Sequence, residues 1–248
     1  MRPGSDKRPA LARTVTALML TLAAAGTAAA GTFSIAPVRI DLQGAQRTAV
    51  LTVHNDAAAP LLIQVSTLAW TQPGGEESYS ATHELLATPP VFTLPPNGEQ
   101  IVRVALRREP DATRELDYRL LLAEVPQPVD KNFTGLRVAL RLSLPLFVKS
   151  AAPAASALSW HAQWQADGKL AVSASNAGQA HLQVSDFTLH IAGTEQSVRG
   201  AVSRYVLPGS TVSWKLDAPA GVARDAAITI HGSSDQGDFQ ADVATTGT

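Results

Sequence analysis

Six histidines, twenty-one acidic residues and no cysteine are the raw material for chemistry in this 248-residue chain. Without Cys there is no thiol nucleophile, no thiolate-bound metal or iron–sulfur cluster and no disulfide framework. His54, His83, His161, His181, His190 and His231 fall in no HExxH or comparable ligand spacing. His181 and His190 bracket Asp186 along one stretch, which is no recognised ligand geometry, and all six read as strand and loop surface residues. There is no GxSxG elbow, P-loop or GxGxxG. Glu76 and Glu77 sit in a Gly-rich hairpin turn, where solvated carboxylates are expected rather than the cleft-held pair of a glycosidase. Asn132-Phe133-Thr134 matches a glycosylation sequon and reads as loop. No catalytic residue, metal ligand or cofactor is therefore expected, and the chain does not read as an enzyme. What stays chemically interesting is a set of arginines on an alternating pattern, with Arg137 and Arg141 interleaved among Leu136, Val138, Leu140, Leu142 and Leu144.

Composition narrows the partners. A 45% hydrophobic share is too high for a disordered chain, and a formal net charge of −1 gives no reason to expect nucleic acid. Residues 1–30 read as a secretory signal peptide. Arg2, Lys7, Arg8 and Arg13 precede the apolar run Thr14–Leu22, and Ala28-Ala29-Ala30 forms a small-residue cleavage site. The apolar run is shorter than the ~20 residues a membrane span needs. Four of the twenty basic residues and one of the twenty-one acids (Asp6) lie in this segment. The exported chain therefore carries sixteen basic against twenty acidic residues, a net charge of −4. The expectation is a protein that is not membrane-embedded.

The elements that must position the arginines are strands. Apolar residues recur with period two in Thr32–Leu42, Thr48–Asn55, Leu61–Trp70, Glu99–Leu106, Asp117–Val125 and Leu136–Val148. Turn chemistry separates them at Asn55-Asp56, Gln72-Pro73-Gly74-Gly75 and Leu94-Pro95-Pro96-Asn97-Gly98. A small-residue, Pro-containing linker occupies residues 150–157. Strand patterns resume at Leu158–Gln165, Lys169–Asn176, His181–Ile191, Gln196–Val206, Thr211–Leu216 and Ala227–His231. The polar tail 232–248 is undecided, with only Asp238–Val243 strand-like. This predicts an all-β chain of two sandwich domains, 31–149 and 158–248, with no sequence repeat between them.

Leu136–Val148 is the exceptional segment. Its length exceeds the ~5–6 residues usual for a strand. Leu136, Val138, Leu140, Leu142 and Leu144 line one face, and Arg137, Ala139, Arg141, Ser143 and Pro145 the other. Pro145 has no ladder donor, which places it at an edge or bulge. A long apolar edge invites aggregation unless it is kept for another protein's sheet.

Several blocks carry a family resemblance: Ile35-Ala36-Pro37-Val38-Arg39-Ile40, Val50-Leu51-Thr52-Val53-His54-Asn55-Asp56, Thr88–Arg103, Glu115–Pro126 and Leu136–Val148, with looser matches over 158–231. Together they resemble the periplasmic pilus chaperones of the chaperone–usher pathway, the two-Ig-domain family of the Pap pilus chaperone. The wording around Tyr118-Arg119-Leu120 and Arg141-Leu142-Ser143-Leu144-Pro145 looks closer to its sigma or archaic branch. The resemblance implies two immunoglobulin-like sandwiches in an L-shaped arrangement and no cofactor. It implies pilus subunits and an outer-membrane usher as partners, and an empty protein open to capping its own edge as a homodimer. It implies a strand lent to subunits that lack their own, with Leu136, Val138, Leu140 and Leu142 as donor residues. Two cations would hold the subunit's C-terminal carboxylate. Arg39 matches the first. The family's second, a Lys before Leu-Phe, is replaced by Pro145, which leaves Arg119 and Arg141 as equal candidates and Lys149 beyond the strand end. Val91, Phe92 and Leu94 are either an exposed usher patch or a buried Pro-rich corner. A competing reading is an exported Ig-like adhesion or carbohydrate-binding module, which would need exposed aromatics among Trp70, Trp160, Trp164 and Trp214.

Overall fold

The computed structural model describes residues 33–126, 134, 138–191, 194–198, 203–217 and 221–246. Every regular element among them is a strand, apart from one 3-10 turn at Pro73–Gly75. The reason is visible in the burial pattern. Along β8 (Glu99–Leu106), Val102, Val104 and Leu106 are buried while Glu99, Ile101 and Arg103 are exposed. A two-residue period of this kind suits a sheet with one face in a core.

The N-terminal sandwich has two layers. One is β1 (Phe33–Ala36), β3 (Thr48–Asn55), β8 and β6 (Leu85–Thr88), in that order. The other runs β2 (Ile40–Leu42), β10 (Arg141–Val148), β9 (Leu116–Glu124), β4 (Leu61–Thr71) and β5 (Ser78–Ala81), with β7 (Val91–Leu94) also paired to β4. Between them lies one apolar core that includes Leu51, Ile63, Val102, Leu120, Leu122 and Leu146.

Two segments divide between the layers, and only the first reads as a single run. Thr32–Leu42 becomes β1 on β3 and β2 on β10, broken after Ala36, where the next peptide, to Pro37, is cis. Leu85–Leu94 becomes β6 on β8 and β7 on β4, broken at Pro89-Pro90. A proline cannot donate to a ladder, so each switch falls where pairing must stop. Phe92 and Leu94 are consequently core residues and only Val91 is exposed, which removes the apolar usher patch as a possibility.

The C-terminal sandwich forms around Trp160, Val172, Phe187, Leu189, Val206, Trp214 and Ile230. Its strands run β14 (Thr194–Val198), β13 (Leu182–Ile191), β17 (Ile228–Ser234), β18 (Gly237–Thr246), β11 (Leu158–Trp164), β12 (Lys169–Asn176) and β16 (Thr211–Asp217), with β15 (Arg204–Val206) on β13. The undecided tail is β18, which pairs antiparallel with β17 and parallel with β11 and so joins the two layers. The expected strand Gln196–Val206 is split into β14 and β15.

Although the two halves share no sequence repeat, each closes its turn with a buried Asn at a strand end. Asn55 Nδ2 donates to Ala59 O (2.9 Å) and Pro95 O (2.9 Å). Asn176 Nδ2 donates to Ala180 O (2.8 Å) and Val206 O (2.9 Å). Among the described residues no helix is long and apolar enough to cross a membrane.

Leu122 is fully buried on β9, away from the outer face. Leu122→Ala should lose about 2–5 kcal/mol of unfolding free energy, read from a shifted denaturation midpoint at unchanged slope.

Candidate functional site

On β10 the even residues Leu144, Leu146 and Val148 enter the N-terminal core, so the odd ones face outward. The register across this outer face is explicit. Pro145 lies opposite Arg119 of β9, and Phe147 lies between Asp117 of β9 and Asp41 of β2. Continuing the β2–β10 register one residue back sets Arg39 beside Pro145. Arg39, Pro145 and Arg119 thus form one row across three strands, with the two arginine backbones about 10 Å apart.

Pro145 suits this place. Glu124 N–H donates to Leu140 O (2.9 Å). Alternation along an antiparallel ladder then makes Pro145–Arg119 a non-hydrogen-bonded pair. The missing donor therefore costs β9 nothing, and on the other side β2 pairs only with Leu146–Val148. Among the described residues, Arg141–Pro145 has a ladder on one side only, so the edge position expected from Pro145 is present.

Side chains from the second sandwich cover part of this face. Trp70, Phe147 and Leu207 form a buried cluster with Tyr205 packed against it. His181 stacks on Phe147 at 3.6 Å between ring centroids. The two guanidinium groups rest on the cluster, Arg119 Cζ 3.8 Å from the Trp70 centroid and Arg39 Cζ 4.9 Å from that of Phe147. Buried Gln72 ties the sandwiches together through both ends of its amide, donating to Tyr205 O (2.8 Å) and accepting from Leu207 N (3.0 Å).

The two arginines differ electrically. Arg39 donates from Nε and Nη2 to Asp41 (2.8 and 3.1 Å) and from Nη1 to Asp235 (2.8 Å). Partial burial works against its charge, but the two carboxylates outweigh it and raise the pKa. Arg119 has no carboxylate partner among the described residues, and its Nε is buried without a hydrogen bond.

Beside them lies a buried hub that sequence reasoning missed. Glu115, whose side chain is 0% exposed, accepts from Lys149 Nζ (2.6 Å), from the His181 backbone N–H (3.0 Å) and from His181 Nδ1. Burial opposes its charge, but its bonds to His181 and Lys149 win and hold the carboxyl down at about 2. Burial also opposes charging of His181, yet Asp235 and Glu115 raise its pKa. His181 is thus a buried inter-sandwich residue rather than a surface one. Nothing local in the sequence marks it. The acids Glu115 and Asp117 at one strand end, with Lys149 just past the paired strand, are the only visible trace. Lys149 Nζ is paired with Glu115 past the strand end.

The remaining predicted residues divide. Arg141 is exposed opposite Ala123, four residues from Pro145. Exposure rises along the inward face, from partly buried Leu142 and Leu140, packed against the core, to Val138 at 70%. The ladder begins at Arg141, so Val138–Leu140 is not strand, and Leu136 lies outside the described residues. So do residues 1–30 and, apart from Thr134, the loop Gln127–Gly135. Glu77 is not a simply solvated acid, since it accepts from Trp70 Nε1, Gln72 Nε2 (3.1 Å) and Tyr79 OH (2.9 Å). All four tryptophans are buried, at 2–7% exposure, so none of them offers a sugar-binding platform.

Residues 32–153 match the family model of the pili and flagellar-assembly chaperone, PapD N-terminal domain. That match spans the N-terminal sandwich. No curated protein matches the sequence. In fold, the chain is similar to a solved structure of the CsuC–CsuE chaperone–tip adhesion subunit complex from the archaic chaperone–usher Csu pili of Acinetobacter baumannii. That match has 20% identity and a TM-score of 0.68, and covers 87% of this chain and all of that one. The E. coli chaperone DraB is similar at 22% identity and TM-score 0.57, over 86% of this chain and 96% of its own. The SafA–SafB pilin–chaperone complex of Salmonella enterica gives 19% identity and 0.57, over 86% and 97%. The expected pair of Ig-like sandwiches is therefore the fold that this chain shares with those chaperones.

Asp117 on the outer face generates a pH prediction. Burial first, and the nearby Glu115 charge second, push its carboxyl from 3.8 up to about 8. A carboxyl raised on folding favours the native state while it is protonated. Its contribution is complete below its unfolded value and is lost as the pH climbs towards 8. Asp117→Asn cannot ionise. Its melting temperature relative to wild type should rise progressively between about pH 5 and pH 8 and level off above, by about 2–4 °C for each kcal/mol recovered. A gap independent of pH would show that Asp117 does not ionise in that range.

Proposed function

We propose that this protein is a periplasmic chaperone that holds pilus subunits by lending them the edge of β10 and then delivers them to an outer-membrane usher. One observation carries the reading: the edge left open over Arg141–Pro145 ends on the Arg39–Pro145–Arg119 row. A subunit lacking one strand of an Ig-like fold exposes an apolar groove, and a strand laid against the open edge gains a main-chain ladder. Leu142, Leu140 and Val138, continued by Leu136, fill that groove. Exposed Val138 contributes ~1.5–3 kcal/mol if fully buried, and Leu140 and Leu142, already packed in part against their own core, contribute less. A slip of one residue would turn the Arg141 face inward, so the apolar spacing fixes the register.

At the end of the edge the subunit's C-terminal carboxylate meets Arg39 and Arg119. The register favours Arg119 over Arg141 as the second cation. Arg119 lies directly across from Pro145, which offers no competing charge, and it has no carboxylate partner among the described residues. Arg141 is ~13 Å further along the strand. A guanidinium satisfies a carboxylate through charge-assisted, bidentate bonds. The solved CsuC–CsuE and SafA–SafB complexes pair chaperones of this fold with a tip adhesion subunit and a pilin. Those are the partner classes expected here. The basic, apolar and small-residue sequence of residues 1–30 supports export to the periplasm. Without a client, capping of one β10 edge by another in a homodimer would hide the same surface.

Co-expression with a pilin-like subunit and recovery of the complex tests this. Arg119→Ala and Leu140→Asp should each lower the complex recovered at least tenfold, while Arg141→Ala should leave it nearly unchanged. Full recovery with both of the first two variants would overturn the β10 assignment.

A further inference from the structure

Arg39 is already ligated. A guanidinium has five N–H donors. Asp41 takes the Nε side through both its oxygens, Asp235 takes Nη1 at 2.8 Å, and His181 Nε2 stands 3.1 Å from Nη2. Both edges able to grip a carboxylate in two-point fashion are thus filled before any client arrives.

The two acids on Arg39 are not equivalent. Asp41 is two residues away on the same segment, so it stays with Arg39 through any motion of the sandwiches. Asp235 comes from the turn between β17 and β18 of the other sandwich, 196 residues distant. It can leave without being orphaned. Its Oδ1 accepts the Gln183 backbone N–H at 2.9 Å, and its Oδ2 lies 3.4 Å from His181 Nε2, so partners remain if Arg39 turns away. A displaced acid that keeps its other bonds avoids most of the penalty of a buried, unpaired charge.

Resting on the reading above, in which Arg39 anchors a client carboxylate, we propose that Asp235 is a built-in substitute for that carboxylate. Client capture is then an exchange on Arg39. The client's terminal carboxylate takes the Nη1 position, Asp235 retires to Gln183 and His181, and one bond between the sandwiches is released. The exchange makes capture selective. A ligand that brings no carboxylate cannot replace Asp235 and leaves Arg39 as it was.

The test uses the mature chain and a fluorescent nonapeptide of alternating apolar and polar residues, made both with a free C-terminal carboxylate and as the C-terminal amide. Binding is followed by polarisation at one fixed salt concentration. Asp235→Asn should bind the carboxylate peptide about five- to tenfold tighter than wild type, a gain of up to about 1.4 kcal/mol, and bind the amide unchanged. Asp235→Ser should do the same should the Asn variant fold poorly. Unchanged or weaker carboxylate binding by these variants, with wild type still preferring carboxylate to amide, would overturn the exchange while sparing the anchor. If wild type does not distinguish the two peptides and Arg119→Ala has no effect, the anchor itself fails and the exchange with it.

Discussion

The arrangement turns on β10 having to satisfy two environments at once. Leu144, Leu146 and Val148 are part of the N-terminal core, while Phe147, one residue out of phase, is fully buried under the second sandwich. A strand used on both faces cannot shift by a residue without exchanging a core for a charged interface. That rigidity gives the open part of the edge, Arg141–Pro145, a fixed direction and a fixed end. It also sets the cross-strand row, because Arg119 pairs with Pro145 and Arg39 is placed by β2 pairing with Leu146–Val148.

The contact between the sandwiches is electrostatically dense and nearly balanced. Glu115, Asp235 and Asp41 face Lys149, His181 and Arg39, each charge within reach of an opposite one. Buried pairs of this kind add little net stability, since desolvation consumes most of the Coulombic gain, but breaking one partner is expensive. They suit geometry better than strength. Arg119 is the exception, since its charge is met by the π-face of Trp70 rather than by an acid. The site therefore presents one saturated and one unsaturated guanidinium on either side of a proline, and the asymmetry between them is a property of the assembled molecule.

Much of the fold was legible along the chain. Period-two alternation located β3, β8 and β12 to the residue, because each has one face in a core and the other in water. The errors have physical causes. Short strands beside prolines, β6 and β7, carry too few residues to show a period. The switch of Thr32–Leu42 between sheets leaves the alternation intact, so the pattern cannot show that the pairing partner changes. The donor segment read as one strand from Leu136, yet its ladder begins at Arg141, since β9 ends at Glu124 and offers nothing further to pair with.

For the site, the sequence by itself determined which residues are available. It supplied a cysteine-free, strand-forming chain, arginines at positions 39, 119 and 141, and a proline at position 145. Which arginine stands opposite that proline, which is neutralised by acids and which keeps a bare donor were decided only by tertiary structure. The same holds for His181, which looks like any surface histidine until Glu115 meets it from 66 residues away. Side-chain type and alternation are local and can be read in order along the chain. Register between strands and contact between sandwiches are set by which apolar faces bury together, a choice made by the whole chain at once.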